Sequence, residues 1–339
     1  MPNYQPPFQL TTKILSLVAD ISEQLGAWSA RSDETLTPML RRGNRIRTVQ
    51  ASLEIEHNTL TVEQVTAVLE GKAVLGLPRE IQEVRNAFAA YDGLLTWQPF
   101  KALDLLAAHK LLMLNLVDDA GCYRGADVGI YRDDQLIHRA PPVSQLNRLM
   151  VDLMDWLHHT DAHPLIASCV FHYEFEFIHP FADGNGRMGR LWQTLILSRW
   201  RPELIYLPVE TVIRDKQADY YAALRAADKA SDSTVFVEFM LEALQLALTQ
   251  ALGKTAAKET TRKTTAKTTA KTTRKALTKT VDLLLDCLSA RPEMTIPQLA
   301  GELGLTDDGV RYHLKKLKAA GKVERIGGRK EGYWQIIDG

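Results

Sequence analysis

The 339-residue chain has few cysteines and lacks any long apolar run. Its three cysteines, Cys122, Cys169 and Cys287, show no paired or C-x-x-C spacing, which argues against a disulfide framework and against structural zinc. The start of the chain has no basic segment followed by an apolar one, and no uncharged stretch approaches the roughly 20 residues that cross a bilayer. We therefore expect a cytoplasmic protein that is neither secreted nor inserted into a membrane.

Neither sign of charge predominates in the chain as a whole, since 41 basic residues balance 41 acidic ones. The balance hides a low-complexity segment from Lys254 to Thr280, which repeats Thr-Thr-Ala-Lys units and carries a net charge of +8. Such a segment has too few apolar side chains to bury a core, and its like charges repel. We predict a basic linker at 253–279 that attracts polyanions without sequence preference.

Helical periodicity dominates the chain before the linker. Ile14, Leu17, Ile21 and Leu25 recur at the spacing of one helix face, and similar stripes follow downstream. An alternating stretch from Gly121 to Ile137 interrupts them and predicts a β-hairpin that turns near Arg132 to Asp134. We predict a mainly α protein whose parts are an N-terminal helical region at 1–110, a catalytic core at 111–252, the linker and a small domain at 280–339.

The stretch HPFADGNGRMGR, residues 179–190, concentrates groups that handle phosphates. Gly184 and Gly186 leave room for backbone N–H groups to converge on an anion at the start of a helix, and Asn185 adds a side-chain donor. Arg187 and Arg190 are three residues apart on that helix and can bind outer phosphates bidentately. These residues predict a site for a nucleotide triphosphate.

The same stretch also contains a carboxylate and a base. Asp183 is a hard oxygen ligand, and one carboxylate plus substrate phosphates is enough to hold Mg²⁺. His179 is then the candidate general base.

Two other interpretations stay open at this point. Gly184, Gly186 and Gly189 also spell G-x-G-x-x-G, with Glu210 at a dinucleotide-like distance, although a strand would then have to run through Pro180. A loop of purely structural purpose is the second alternative. A P-loop is disfavoured because its lysine is missing.

The stretch resembles the signature of Fic-domain proteins, His-x-Phe-x-Asp/Glu-Gly-Asn-Gly-Arg-x-x-Arg, and matches every fixed position. The resemblance implies transfer of AMP from ATP to a hydroxyl side chain (Tyr, Thr or Ser) of a protein substrate, with His179 as base, Asp183 on Mg²⁺ and pyrophosphate leaving. The residues it implies for ATP binding are Gly184, Asn185, Gly186, Arg187, Met188, Gly189, Arg190 and Tyr221.

The resemblance extends to two neighbouring elements. It implies that Tyr123 to Ile130 form a flap that holds the target's backbone by strand addition, the alternative being an ordinary surface hairpin. It also implies that Tyr221 packs the adenine, on a helix where Asp228 replaces a frequent Asn. Core packing by the tyrosine pair is the alternative.

Far upstream, SLEIEHNTLT resembles the inhibitory pattern of the same family, Ser/Thr-x-x-x-Glu followed by Gly or Asn. Ser52 and Glu56 match, and His57 departs from the usual Gly or Asn. A glutamate against Arg190 would neutralise the group needed for the γ-phosphate. We therefore expect an inhibited ground state, the alternative being a Glu that merely caps a helix.

The last 60 residues resemble a winged helix-turn-helix. Helices are predicted at 281–288, 296–303 and 306–319, with two strands about Gly327 and Gly328 as the wing. The third helix exposes basic residues, although Asp307 and Asp308 stand at its start. We expect DNA binding, with protein docking or dimerisation as the alternative.

The sequence thus predicts an ATP- and Mg²⁺-dependent protein adenylyltransferase, restrained by Glu56, and the resemblance also implies a homodimer. A transcriptional regulator whose nucleotide site only senses ligand is one alternative. Removal of AMP from a modified protein, with Glu56 orienting water, is another.

Overall fold

A computed structural model of the chain describes residues 4–29, 38–132, 135–252, 283–327 and 332–337, without the side chains of 130–138. It divides into two compact units, Met1–Thr255 and Ala256–Gly339. The predicted basic linker at 253–279 lies outside the described residues.

The first unit is built from helices that share one hydrophobic core. Two short 3₁₀ turns, Leu94–Thr96 and Pro202–Tyr206, join neighbouring helices. The helices are α1 Thr12–Ser29, α2 Pro38–Ile55, α3 Val62–Leu69, α4 Pro78–Gly93, α5 Ala102–Leu112, α6 Val143–His159, α7 Pro164–Ile178, α8 Asn185–Trp200, α9 Val209–Asp215, α10 Gln217–Ala230 and α11 Thr234–Leu252.

Helices α7 and α8 form the centre of this core. They pack side by side, and nearly every residue of α7 is buried, as are Trp192 and Leu195 on α8. Helix α2 contacts α8 and lies against α9, which brings the segment after Ile55 towards the start of α8. The mainly α fold predicted from periodicity is confirmed.

Helix α11 has the length and apolar composition of a membrane span. Its apolar residues, including Phe236, Met240, Leu244 and Leu248, are buried in the core of the first unit. The length and apolar composition of α11 are therefore those of a helix buried in the core of the first unit.

The hairpin differs in extent from the prediction. Strand β1 is Gly129–Arg132 and pairs antiparallel with β2 Gln135–Arg139, so the predicted flap at Tyr123 to Ile130 is mostly not a strand. Residues 123–128 form bends and loop, and the Arg124 side chain within them donates to the backbone carbonyl of His179. The predicted turn falls at 133–134, outside the described residues.

The second unit, taken by itself, is a small winged helix-turn-helix. Residues 283–290 form α12, followed by α13 Ile296–Leu303 and α14 Asp307–Ala319. Strands β3 Val323–Ile326 and β4 Tyr333–Ile336 pair antiparallel as the wing. Thr306 caps the N-terminus of α14, because its hydroxyl accepts from Gly309 N at 3.2 Å, and the helix buries Val310, Leu314 and Leu317.

Candidate active site

The candidate site lies in the loop between α7 and α8. Helix α7 ends at Ile178 because His179 adopts a left-handed conformation, φ 51°, and Pro180 follows it. Helix α8 begins at Asn185, directly after Gly184 with φ 87°. The six-residue loop 179–184 therefore connects the end of α7, where His179 lies, to the N-terminus of α8, where unpaired N–H groups favour an anion.

Two glycines of the motif permit close packing. A Cβ on Gly184 would lie 2.7 Å from Met113 Sδ, and one on Gly189 would lie 2.7 Å from Glu176 Oε1. Gly189 therefore allows α8 to approach α7. Met188, which was expected at the nucleotide, has its side chain fully buried in the core.

Asn185 shapes the loop. Its side-chain Nδ2 donates to Phe181 O and its Oδ1 accepts from Phe181 N, both at 2.9 Å. The amide predicted as a phosphate donor is thus engaged with the loop's own backbone. The G-x-G-x-x-G interpretation is wrong, because helix α7 precedes the glycines where a dinucleotide fold needs a strand.

Two residues that the sequence analysis missed hold this loop in place. Arg124, only 3% exposed, donates from Nε to His179 O at 2.8 Å and from Nη2 to Pro141 O at 2.6 Å. His109 accepts from Gly121 N at Nδ1, so its Nε2 carries the proton and donates to Asp183 O at 3.0 Å. Their partners are main-chain carbonyls, which leave no pattern in the sequence.

A cavity opens beside the loop and gathers five of the predicted site residues. They are Glu56, His179, Gly186, Arg190 and Tyr221, and the lining is completed by Glu176, Phe177, Tyr220, Leu224, Arg225 and Asp228. The cavity therefore combines a histidine, a helix N-terminus, a guanidinium and an aromatic wall.

Arg190 is buried and bound to the predicted inhibitory segment. Its Nη2 donates to Glu56 Oε1 at 2.8 Å and to Ser52 O at 2.9 Å, and its Nε donates to Ser52 Oγ at 3.0 Å. Burial alone would lower the pKa of Arg190, but the Glu56 carboxylate holds it above its ordinary value. Arg190 is therefore a charged group whose counterion is Glu56.

The Glu56 carboxylate also lies over the first turn of α8. A Cβ built on Gly186 would collide with Glu56 Oε1. The carboxylate thus occupies the place where a helix N-terminus favours an anion.

The position of Glu56 is set by the end of α2. Asn58 N donates to Leu53 O and His57 N donates to Glu54 O, both at 3.0 Å, which is a Schellman motif with His57 in the left-handed conformation, φ 69°. Glycine or asparagine adopts this conformation most readily. The family's preference for Gly or Asn at this position follows from that backbone geometry.

Asp183 lies outside the cavity lining and accepts from two arginines. Arg187 Nη2 donates to its Oδ1 at 2.9 Å, and Arg79 Nη2 donates to its Oδ2 at 3.2 Å. Glu83 pairs with both arginines and accepts from Asn58 at 2.8 Å. Arg187 and Arg190 were expected to act together, but in this state Arg187 pairs with Asp183 and Glu83, whereas Arg190 pairs with Glu56.

His172 is fully buried on α7. Its Nε2 lies 3.7 Å from Glu176 Oε1, and the ring contacts Gln193 Oε1 at 2.7 Å and Tyr220 OH at 3.1 Å. Burial lowers the pKa of His172 to about 3, so the neutral ring makes these bonds and cannot form an ion pair. Tyr220 is accordingly a core residue, and Tyr221 is the member of the tyrosine pair that was predicted to face the base.

Among known proteins, the Fic/DOC family model matches residues 99–197, and a model described as winged helix-turn-helix DNA-binding matches 280–324. The crystal structure of a Fic family protein from Desulfovibrio desulfuricans G20 is 50% identical, with 98% of each chain covered and a TM-score of 0.73.

More distant relatives come from Caenorhabditis elegans. Protein adenylyltransferase fic-1 is 30% identical over 206 residues, which are 56% of this chain and 38% of that protein. The structure of Fic-1 residues 134–508 shares the fold at 23% identity and a TM-score of 0.59, with 73% of this chain and 72% of that one covered. The chain thus spans well under half of the curated relative's length.

The signature loop, the helices that hold it and the near full-length match to the Desulfovibrio protein agree, and the chain belongs to the Fic family.

Proposed function

We propose that the protein transfers AMP from ATP to a hydroxyl side chain of a target protein, and that Glu56 holds it in an inhibited state. The observation that carries the proposal is the geometry of the cavity, where His179 and the N-terminus of α8 face the same space. The names of relatives such as the Caenorhabditis elegans adenylyltransferase agree with it.

In the proposed reaction His179 takes the proton of the acceptor hydroxyl. The hydroxyl oxygen attacks the α-phosphorus, and the bond from that phosphorus to the bridging oxygen breaks, so that pyrophosphate leaves. Backbone N–H groups at Gly186 and the Arg190 guanidinium neutralise the phosphates. Arg124 holds the carbonyl of His179 and thereby fixes the position of the base.

Mg²⁺ fits Asp183 by donor chemistry. No group of three or more potential metal-ligating side chains occurs among residues 4–29, 38–132, 135–252, 283–327 and 332–337. A single carboxylate suffices when phosphates and water supply the other ligands, and Asp183 already holds two cationic guanidinium groups. Mg²⁺ bound there would neutralise phosphate charge.

The inhibition follows from competition for Arg190. The Glu56 carboxylate occupies both the guanidinium and the space above Gly186, which are the two features that would bind the outer phosphates. Nucleotide can bind productively only after Glu56 moves away, and a protein partner or a second copy that shifts α2 would achieve this.

Mass spectrometry tests the activity directly. We expect incubation of the Glu56→Gly variant with Mg²⁺ and ATP to transfer AMP to Tyr, Thr or Ser of the protein or of a lysate target. Each transferred AMP would be seen as a mass increase of about 329 Da. The His179→Ala variant in the same background is the control and should show none. Nucleotide binding without any adduct would favour the alternative of a nucleotide sensor, and AMP loss from a pre-modified target would favour the reverse reaction.

We further propose that the second unit binds DNA. Helix α14 exposes Arg311, Lys315, Lys316 and Lys318 while its apolar face is buried. A helix of this kind commonly enters the major groove. Binding of the full chain to duplex DNA, and its dependence on salt, tests this proposal.

A further inference from the structure

Two chemically different groups of residues line the cavity. Gly186, at the start of α8, and Arg190 offer the N–H donors and the charge that phosphates need. Tyr221 and Leu224 of α10 offer an aromatic ring and an apolar side chain. If the proposed function holds, on which this inference rests, the nucleotide base lies against α10.

The lining residues that α10 contributes share one face of the helix. Tyr221, Leu224, Arg225 and Asp228 follow the three- and four-residue spacing of neighbours on a helix surface, and all four line the cavity. The polar members are therefore an acidic and a basic side chain, one turn apart, beside the aromatic ring that would stack on a base.

Asp228 has a defined orientation. Tyr173 OH donates to its Oδ1 at 3.0 Å, and the side chain is half-buried. An ionised carboxylate accepts hydrogen bonds and donates none, and its two oxygens together accept about four. Because Asp228 lines the cavity, its carboxylate favours a ligand that brings N–H donors.

Guanine offers such an edge more completely than the other bases. Its N1–H and N2–H groups lie side by side and match the two oxygens of one carboxylate, while its O6 suits the Arg225 guanidinium. Adenine offers a single amino group next to N1, an acceptor that a carboxylate repels. Cytosine pairs its amino group with an acceptor in the same way, and uracil has one N–H between two carbonyls.

We propose that Asp228 and Arg225 make this a guanine-selecting pocket, so that GTP is a donor nucleotide of this site in addition to ATP. Asp228 accepts hydrogen bonds from guanine N1–H and N2–H, and Arg225 donates to O6. Tyr173 positions the carboxylate and does not touch the base.

The test compares the α,β-methylene analogues of GTP and ATP, which bind but cannot be cleaved at the α-phosphorus. Both are titrated calorimetrically, with Mg²⁺, into the full-length Glu56→Gly variant. We expect the guanine analogue to bind roughly tenfold more tightly, the usual worth of one bidentate base contact. Each variant is judged by the ratio of two ligands on one protein, so that a general loss of folding does not mimic the result.

Asp228→Asn in the same background is the matched variant. Asparagine keeps an oxygen for Tyr173, but its amide accepts from the adenine amino group and donates to adenine N1, so the preference should reverse towards the adenine analogue. Arg225→Gln should weaken the guanine analogue several-fold and leave the adenine analogue nearly unchanged.

The guanine assignment would be overturned if the Glu56→Gly variant bound the adenine analogue more tightly and if Asp228→Asn left the ratio of the two affinities unchanged. The proposed AMP transfer would remain intact. Binding of neither analogue would refute the proposed nucleotide site, and the guanine assignment with it.

Discussion

Arg190 and Glu56, 134 residues apart in the sequence, meet at 2.8 Å inside the first unit. The arginine side chain is 1% exposed, whereas the glutamate side chain is 33% exposed. The inhibitory partner is therefore the one that can leave, while the guanidinium stays where a phosphate would need it. Removal of Glu56 has two opposite consequences, because it opens the site and leaves a buried charge without its counterion.

We expect Glu56→Gly to raise AMP incorporation several-fold, because Arg190 and the α8 N-terminus become available to the triphosphate. Incorporation of label from ATP carrying ³²P at the α-phosphate measures it. Glu54→Gly is the matched control, since Glu54 lies on the same helix turn but pairs with the partly exposed Arg214, and this change should leave incorporation near the wild-type level. Equal activity of Glu56→Gly and wild type would contradict the inhibition.

The same variant should be less stable without nucleotide. Loss of the partner of a buried charge costs about 3 kcal/mol, and a bound triphosphate should restore most of it by replacing the carboxylate. Thermal unfolding with and without Mg²⁺ and ATP measures the change. A larger shift of Tm by nucleotide in Glu56→Gly than in wild type is the expected result, and equal shifts would show that phosphate does not take the place of Glu56.

His57→Gly should stabilise the protein and tighten inhibition. His57 adopts φ 69°, a conformation that costs a residue with a Cβ about 1 kcal/mol relative to glycine, and it lies directly after Glu56. Chemical denaturation should show a gain of roughly 1 kcal/mol, and basal incorporation should fall or stay equal. His57→Ala keeps the Cβ and is the control, so a gain of the same size there would rule out backbone strain as the cause.

Some of the site could be predicted from the sequence because its chemistry is contiguous. Residues 179–190 form one loop and one helix start, so the order of the histidine, carboxylate, glycines and arginines already determines their approximate neighbourhood. Contact between Glu56 and Arg190 was predicted from a resemblance, since no local pattern links two segments so far apart. The geometry adds its physical cause, which is a Schellman turn that places Glu56 at the end of α2.

Other parts could not be predicted because backbone atoms carry the interaction. Arg124 and His109 bind carbonyls of the catalytic loop, and any residue could supply those carbonyls. The extent of the hairpin was misjudged for a related reason, since alternating polarity from Gly121 predicts a strand, but the buried Arg124 holds residues 123–128 as a loop and pairing begins at Gly129.

Arg124→Met should lower kcat at least tenfold with little change in the KM for ATP. The guanidinium holds the carbonyl of His179 and is not itself part of the cavity lining, so its loss should displace the base while the phosphate site persists. Steady-state kinetics in the Glu56→Gly background separates the two constants. Arg148→Met is the control, because Arg148 is exposed and contacts Gln145 and Asp152 on its own helix. A raised KM with unchanged kcat would contradict the positioning role.

Glu174 should make stability depend on pH. Burial raises its pKa to about 7 in the folded protein, while Tyr4 OH donates to its Oε2 at 2.7 Å. The folded state therefore holds a proton that the unfolded chain has released above its ordinary pKa of about 4.5, so stability falls as pH rises from 4.5 to 7. The loss is of the order of 3 kcal/mol. Urea unfolding at pH 5 and pH 8 measures it, and Glu174→Gln, which keeps an acceptor for Tyr4, should remove most of the difference.

DNA binding by the second unit should be electrostatic in large part and should depend on α14. Arg311 and Lys315 are exposed on that helix, and each phosphate contact contributes about one unit to the slope of log affinity against log salt. Arg311→Gln with Lys315→Gln should therefore weaken binding of the full chain to a duplex and reduce the slope by about 2. The segment 254–280, with its net charge of +8, stays intact in both proteins and adds the same background. Fluorescence anisotropy across a salt series gives both quantities. An unchanged slope would mean that α14 does not contact DNA, and it would favour the alternatives of protein docking or dimerisation.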